Sequence, residues 1–312
     1  MTIKHLVLGG GGSGVIAVYG ALKYLAINKF WELKDIKSIY STSFGSIIGT
    51  YIILNHDWDT LDDYLVKRPW DKVINIKPLD IINIWHEKGI FNENIVKLAF
   101  KPLLEAKDLS ENITLQDLYD YNSIEFHIYT TNLNENIPTK VDISYKTHPN
   151  LELCKAITMS ISFPLLFAPI CNNDNNCYID GGLLNNFPLN NCIADVTNVE
   201  EILAIKVSSC LSVNNIDKNS TLIYYIYSLM EGMRRLLMTD NEQQVISNMI
   251  TCKLKSNTIK DWLQALSDDN IRQQLIETGE KYGKDFLELQ KTCSTYSTDI
   301  SNSISIINNI KI

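Results

Sequence analysis

Residues 4–26 read KHLVLGGGGSGVIAVYGALKYLA, and the order of textures within them sets the fold. KHLVL at 4–8 reads as a strand. Four glycines follow at Gly9, Gly10, Gly11 and Gly12, and after Ser13 and Gly14 the apolar residues of 15–26 recur at helical spacing. Strand, glycine-rich turn, helix is the opening of an α/β chain. A second unit of the same kind comes next: 36–40 is strand-like, STSFG at 41–45 is a turn of small residues around Phe44, and 47–54 is an apolar helix. Two such units imply parallel strands joined by helical crossovers.

Further along, 57–107 turns to helix and loop, with Trp58, Trp70 and Trp85 and with Pro69, Pro78 and Pro102 as breaks. This segment is expected to form a helical cap over one end of the sheet. Strands are expected at 125–131 (EFHIYTT), 140–144, 178–182 and 201–207, and a helix at 150–160. Residues 222–239 and 259–289 read as two long amphipathic helices. The Ser-, Asn- and Thr-rich stretch 291–312 has little periodicity and reads as a loosely held tail. With no internal repeat or linker, the expectation is one domain over residues 4–290, followed by that tail.

The whole chain is 312 residues, 45% hydrophobic and 21% charged, which is the composition of a globular protein rather than a disordered one. Its formal charge of −8 argues against nucleic acid as a partner and against adhesion to anionic lipid by bulk electrostatics. The first residues lack the charged leader and long apolar region of a secretory signal, and no window reaches the length of a membrane-crossing helix. A cytoplasmic protein is therefore expected. The abundance of Asn, Ile and Lys beside four arginines suits an AT-rich genome, such as that of a large virus or an intracellular bacterium, which would place the chain in a host cytoplasm. Seven scattered cysteines with no C-x-x-C pair suggest free, buried thiols.

Residues 9–14 satisfy G-x-G-x-x-G between a strand and a helix, the dinucleotide fingerprint. That fingerprint wants an acidic residue at the end of the next strand, and Glu32 and Asp35 precede it instead. A nucleotide phosphate loop wants Lys and then Ser or Thr, where Val15 and Ile16 stand. What the glycines do supply is a row of unobstructed N–H groups at a helix N-terminus, suited to a negative charge that is either bound or transient.

Ser43 lies in the second strand-to-helix turn, the setting of a nucleophile elbow. The elbow pattern G-x-S-x-G is met at Gly45, while Ser41 takes the place of the first glycine. A serine nucleophile needs a base. None of the five histidines, His5, His56, His86, His127 and His148, is placed convincingly, and they offer no zinc motif. The remaining candidate is Asp180, which ends a strand-like segment and is followed by Gly181 and Gly182. A partly desolvated carboxylate there could take the serine proton directly.

Taken in this order, the glycine run, an elbow about 30 residues on and an Asp-Gly-Gly turn beyond residue 150 resemble the patatin-like phospholipase family. Thr130-Thr131-Asn132-Leu133, AITMSISFPLLFAP at 156–169, GGLLNNFP at 181–188 and IETGEKYGKDF at 276–286 extend the likeness over residues 4–290. The resemblance implies a three-layer α/β fold with a mixed, largely parallel sheet. It implies Ser43 as nucleophile, Asp180 as general base and acid, and the N–H groups of Gly10, Gly11 and Gly12 as the oxyanion hole. The activity implied is hydrolysis of phospholipid or lysophospholipid esters through an acyl-serine, without metal or cofactor.

Transacylation on the same dyad and a catalytically silent lipid-binding or host-interaction role stay open, as does a protein activator. The family usually has Arg or Lys where Ser13 stands, so a cationic anchor for the loop is missing. Residues 222–238, with Arg234 and Arg235, could form a lipid-facing entrance in transient contact with a membrane surface.

Overall fold

The computed structural model describes residues 2–74, 84, 86–209, 216–239 and 244–309. Trp85 and Pro78 of the expected cap, and Cys210 among the seven cysteines, lie outside the described residues. The glycine run separates strand β1 (His5–Leu8) from helix α1 (Val15–Ile27), and the serine turn separates β2 (Ser38–Thr42) from α2 (Phe44–Leu54). Strand and helix reach closer to the serine than the sequence suggests, so Ser43 alone makes the turn.

The remaining strands are β3 (Gly89–Phe91), β4 (Glu125–Asn132), β5 (Thr139–Ile143), β6 (Leu165–Phe167), β7 (Ile170–Cys171), β8 (Cys177–Asp180), β9 (Ile202–Ser209) and β10 (Met249–Leu254). The main sheet runs β10-β9-β1-β2-β4-β8-β7, with β5 also paired to β4. Pairs among β10, β9, β1, β2 and β4 are parallel, while β5, β7 and β8 join antiparallel. The architecture is thus α/β around a mixed, mostly parallel sheet.

Alternation along the strands makes the layers. Leu6, Leu8, Ile39, Phe126, Ile128, Leu203 and Ile205 face the larger core with α1, α2 and the Leu153–Ile161 helix. Their neighbours Val7, Tyr40, Tyr129, Ile202 and Ala204 face a smaller core closed by Leu189 and Cys192 of the Leu189–Asp195 helix. The strands β1, β2 and β4 over most of their length, and β9 over its first half, bury both faces, as parallel strands do.

The cap region folds as helices Trp58–Lys67, Trp70–Val73 and Glu93–Glu105, joined by a small parallel sheet of β3 and β6 that the sequence did not announce. Pro102 lies inside the last of these helices rather than ending it. The carbonyl that a proline leaves unserved four residues earlier, Leu98 O, accepts from Arg68 Nη2 at 2.9 Å, which removes much of the penalty.

Two further expectations are corrected. The segment 259–289 is not one helix: Ile259–Ser267 ends at Asp268, whose extended φ of −125° breaks it, and a new helix runs Asp269–Asn309. That second helix runs on through 291–309, within the stretch read as a loosely held tail. Cys171 and Cys177 are joined as a disulfide across the β7–β8 hairpin, because antiparallel pairing sets them opposite one another. Cys154, Cys192 and Cys252 are free and buried, as expected.

Candidate active site

In a parallel sheet the loops after the strands all leave at one end, and that rim is where an α/β sheet binds ligands. Here β1 delivers the glycine loop to the rim, β2 delivers Ser43, β9 delivers Lys206 to Ser209, and the chain after β10 delivers Asn257. A cleft of about 690 Å³ opens there, lined among others by Gly10, Gly11, Gly12, Ser13, Ser43 and Asp180.

Asp180 arrives by a different route. Thr42 at the end of β2 pairs with Tyr129 of β4, and Asp180 at the end of β8 pairs with Thr130. Because β5 occupies the other edge of β4, β2 and β8 share one edge and approach each other end to end. The residues at their tips therefore meet. Ser43 Oγ donates to Asp180 Oδ2 at 2.6 Å, and both residues are buried. Gly182 N donates to Asp180 Oδ1 at 2.6 Å, which leaves Oδ2 to the serine. Burial pushes the Asp180 carboxyl up to about 6, against the opposing pull of the bonds from Ser43 and Gly182 and of the Arg234 charge.

Ser43 has φ 51° and ψ −136°, a strained backbone for a residue with a side chain. Ser43 N donates to Ser160 Oγ at 2.8 Å, and Ser160 Oγ donates to Tyr129 O at 2.6 Å. Gly45 fits under β1 only because it lacks a side chain: a Cβ there would stand 2.5 Å from Leu8 O. Ser41, at the position where the pattern has glycine, is buried with its hydroxyl donated to His127 O at 3.2 Å, so the replacement is accommodated within the sheet.

The glycine loop is held from several sides. Gly9 N donates to Ile205 O at 3.1 Å and Gly10 N to Asn186 O at 2.9 Å. Of the three N–H groups expected to serve an oxyanion, that of Gly10 is therefore already given to Asn186. Those of Gly11 and Gly12 begin the short 3-10 turn Gly12–Gly14, where no intrahelical acceptor exists. Asn186 Nδ2 donates to Gly10 O at 3.3 Å and Asn257 Nδ2 to Gly11 O at 2.8 Å. Ser13 and Gly14 are buried behind the loop, and Gly181 N donates to Ser160 O at 3.2 Å, which seats the Asp-Gly-Gly turn against the Leu153–Ile161 helix.

Ser160 and Asn186 fall within the family-like stretches 156–169 and 181–188, where nothing singled them out, and Asn257 lies in no motif. His127, the most buried histidine, serves another place: its Nδ1 lies 2.9 Å from Asp142 Oδ2 and its ring stacks on Tyr40. Arg234 and Arg235 line the cleft and both bind Glu231, at 2.5 and 3.4 Å. Among the described residues no group of His, Cys, Asp and Glu is placed to hold a metal ion, and no helix is long and apolar enough to cross a membrane.

Comparison with known proteins bears on this arrangement. Over 187 residues the chain is 30% identical to an uncharacterized protein of Acanthamoeba polyphaga mimivirus, a match covering 60% of each chain. Over 188 residues it is 31% identical to a probable lipid hydrolase of Invertebrate iridescent virus 6, covering 60% of this chain and 62% of that one. The chain thus spans about three-fifths of the length of these curated relatives. Among solved structures, VipD from Legionella pneumophila aligns with a TM-score of 0.47 at 16% identity, over 90% of this chain and 67% of that one. The ExoU–SpcU complex of Pseudomonas aeruginosa aligns with a TM-score of 0.44 at 17% identity, over 90% and 52%. The family model described as patatin-like phospholipase matches residues 6–193, which include the glycine loop, Ser43 and Asp180, and the chain belongs to that family.

Proposed function

We propose that this chain hydrolyses acyl esters of phospholipids or lysophospholipids, with Ser43 as nucleophile and Asp180 as its base. The observation that carries the proposal is the 2.6 Å bond from Ser43 Oγ to Asp180 Oδ2 beside the glycine loop, within the reach required of a catalytic base. Asp180 takes the hydroxyl proton as Oγ attacks the ester carbonyl. The tetrahedral oxyanion is held by Gly11 and Gly12 N–H groups, each such donor lowering the barrier by about 3 to 4 kcal/mol. Asp180 then returns the proton to the departing alcohol oxygen, and water, activated by the same carboxylate, releases the fatty acid from Ser43. A carboxyl near 6 suits both steps, being ionised at neutral pH and still basic enough to accept a proton.

A second cavity of about 120 Å³ supports an acyl chain as the group transferred. It shares Phe44 and Trp262 with the catalytic cleft and continues between Ile48, Tyr51, Trp70 and Phe100 of α2 and the cap. Membrane contact belongs to the same proposal. The Leu222–Thr239 helix lines the cleft with Met230, Glu231 and Arg234, and presents Leu222, Tyr225, Leu229, Met233 and Leu236 to solvent at spacings of three and four. One helix would then face the site on one side and a lipid surface on the other. On this reading residues 4–290 form the hydrolase unit, working from the cytoplasmic side of a membrane.

The test is product analysis with phosphatidylcholine and lysophosphatidylcholine vesicles, with and without an added acceptor alcohol. Free fatty acid from wild type and none from Ser43→Ala is the expected result. Acyl transfer to the alcohol in place of fatty acid would make the chain a transacylase, and no acyl product from wild type would contradict the proposal.

A further inference from the structure

The glycine loop has an anchor that comes from far outside the family-matched residues. Asn257 lies 246 residues beyond Gly11 and donates Nδ2 to Gly11 O at 2.8 Å. The same carbonyl accepts from Gly14 N at 3.0 Å, so both of its lone pairs are engaged. A peptide unit is planar and trans, so its C=O and N–H point in opposite directions. Fixing the Gly11 carbonyl therefore fixes the direction of the Gly12 N–H. Gly12 has φ +49°, and both residues of the Gly11–Gly12 peptide lack side chains, so the loop has no side-chain means of holding that plane itself.

Asn257 is in turn held firmly. It lies in the link between β10 and the Ile259–Ser267 helix, flanked by Ser256 and Thr258, which both bind Asp261. Ser256 Oγ donates to Asp261 Oδ1 at 3.0 Å, and Thr258 N and Oγ1 donate to Asp261 Oδ2, each at 2.7 Å. Thr258 and Asp261 form a complete capping box. Gly14 packs against this side chain so closely that a Cβ there would stand 3.2 Å from Asn257 Nδ2.

We propose that Asn257 is a positioning residue for the reaction, a neutral anchor that orients the Gly12 N–H toward the oxyanion where Ser13 offers no cation. The proposal rests on the reading of Gly11 and Gly12 as oxyanion donors. It also makes the segment after residue 193 part of the catalytic machinery, because β10 and the link that follows it place the anchor.

The test compares wild type, Asn257→Ala and the near-isosteric Asn257→Asp in the full chain. It uses kcat and KM on a short-chain p-nitrophenyl ester, the Tm, and hydrogen exchange at the Gly14 amide. Expected for Asn257→Ala are a kcat lower by about 10- to 100-fold, a KM within about twofold, and a Tm close to wild type. Asn257→Asp should lose more, since an ionised carboxylate cannot donate and sets a negative charge beside the loop. In both variants Gly14 N–H should lose protection, because the carbonyl it binds is released. A kcat within twofold of wild type in folded Asn257→Ala would overturn the proposal. So would a loss expressed only in KM or Tm, or unchanged Gly14 protection. Should wild type itself turn over no ester, the hydrolase reading fails, and Gly14 exchange still reports separately whether Asn257 holds the loop.

Discussion

Ser160 holds Ser43 by its backbone: Ser43 N donates to Ser160 Oγ at 2.8 Å, while the serine turn sits at φ 51°. The Ser160 hydroxyl passes its own hydrogen to Tyr129 O, on the strand whose edge brings β2 and β8 together. Removing it leaves the buried N–H of a strained residue without an acceptor. Ser160→Ala is therefore expected to lower stability by about 1 to 3 kcal/mol. Activity should fall further than unfolding explains, because the Ser43 turn relaxes. Urea unfolding beside kcat at a temperature well below Tm checks this, and a folded variant with full kcat would count against it.

The pH dependence follows from the carboxyl raised to about 6 by burial. As a base, Asp180 works only when ionised. On the acid side kcat/KM should therefore rise about tenfold per pH unit, then level off once pH passes about 6. A rate profile from pH 4.5 to 8 decides it, and a plateau extending down to pH 4.5 would contradict the assignment.

The same shift has the opposite sign for stability. The folded state binds the Asp180 proton more tightly than the unfolded chain, whose carboxyl titrates near 3.8. The stabilisation from that proton is complete below about pH 4 and is lost as pH rises through 6. Asp180→Asn, which keeps an acceptor for Gly182 N, should therefore be more stable than wild type at pH 7 by about 2 to 3 kcal/mol while losing its activity. Chemical unfolding at pH 4.5 and 7 measures the gap, which should open with rising pH.

These chemical features were legible in the sequence to different degrees. The first two strand-turn-helix units, Ser43 and Asp180 were readable because each sits at an abrupt change of texture: apolar strand into glycines, or apolar strand into a small polar turn. The Asp268 break was marked only by the polar run 267–270 between Leu266 and Ile271, too short a gap in the apolar pattern to tell two helices from one. β10 alternates Ile250, Cys252 and Leu254 toward the core, a period-two signal over only six residues.

The roles of Ser160, Asn186 and Asn257 were invisible for a different reason. Each is a single polar residue whose partner lies 117, 176 or 246 residues away. Their roles arise from the topology that gathers the C-terminal ends of β1, β2, β9 and β10 at one rim, and no local pattern records that. The Gly10 N–H likewise looked available in a row of glycines, and only the approach of Asn186 engages it.

The outward apolar stripe of the Leu222–Thr239 helix gives a prediction separable from catalysis. Met233→Glu with Leu236→Glu, both at exposed positions, should weaken binding to phosphatidylcholine vesicles by about tenfold or more, since each removes apolar area that would enter the lipid. Hydrolysis of a soluble short-chain ester should stay within about twofold of wild type. Vesicle sedimentation at unchanged affinity would remove the membrane role from this helix.

The most direct measurement of the central claim is covalent labelling by a fluorophosphonate, read by intact mass and by mapping of the modified residue. Wild type should gain one adduct, on Ser43; Ser43→Ala should gain none; and Asp180→Asn should react at least about 100-fold more slowly because its serine has lost its base. Labelling of Ser43→Ala at the wild-type rate, or wild type left unlabelled in the presence of lipid vesicles, would contradict a nucleophilic Ser43 activated by Asp180.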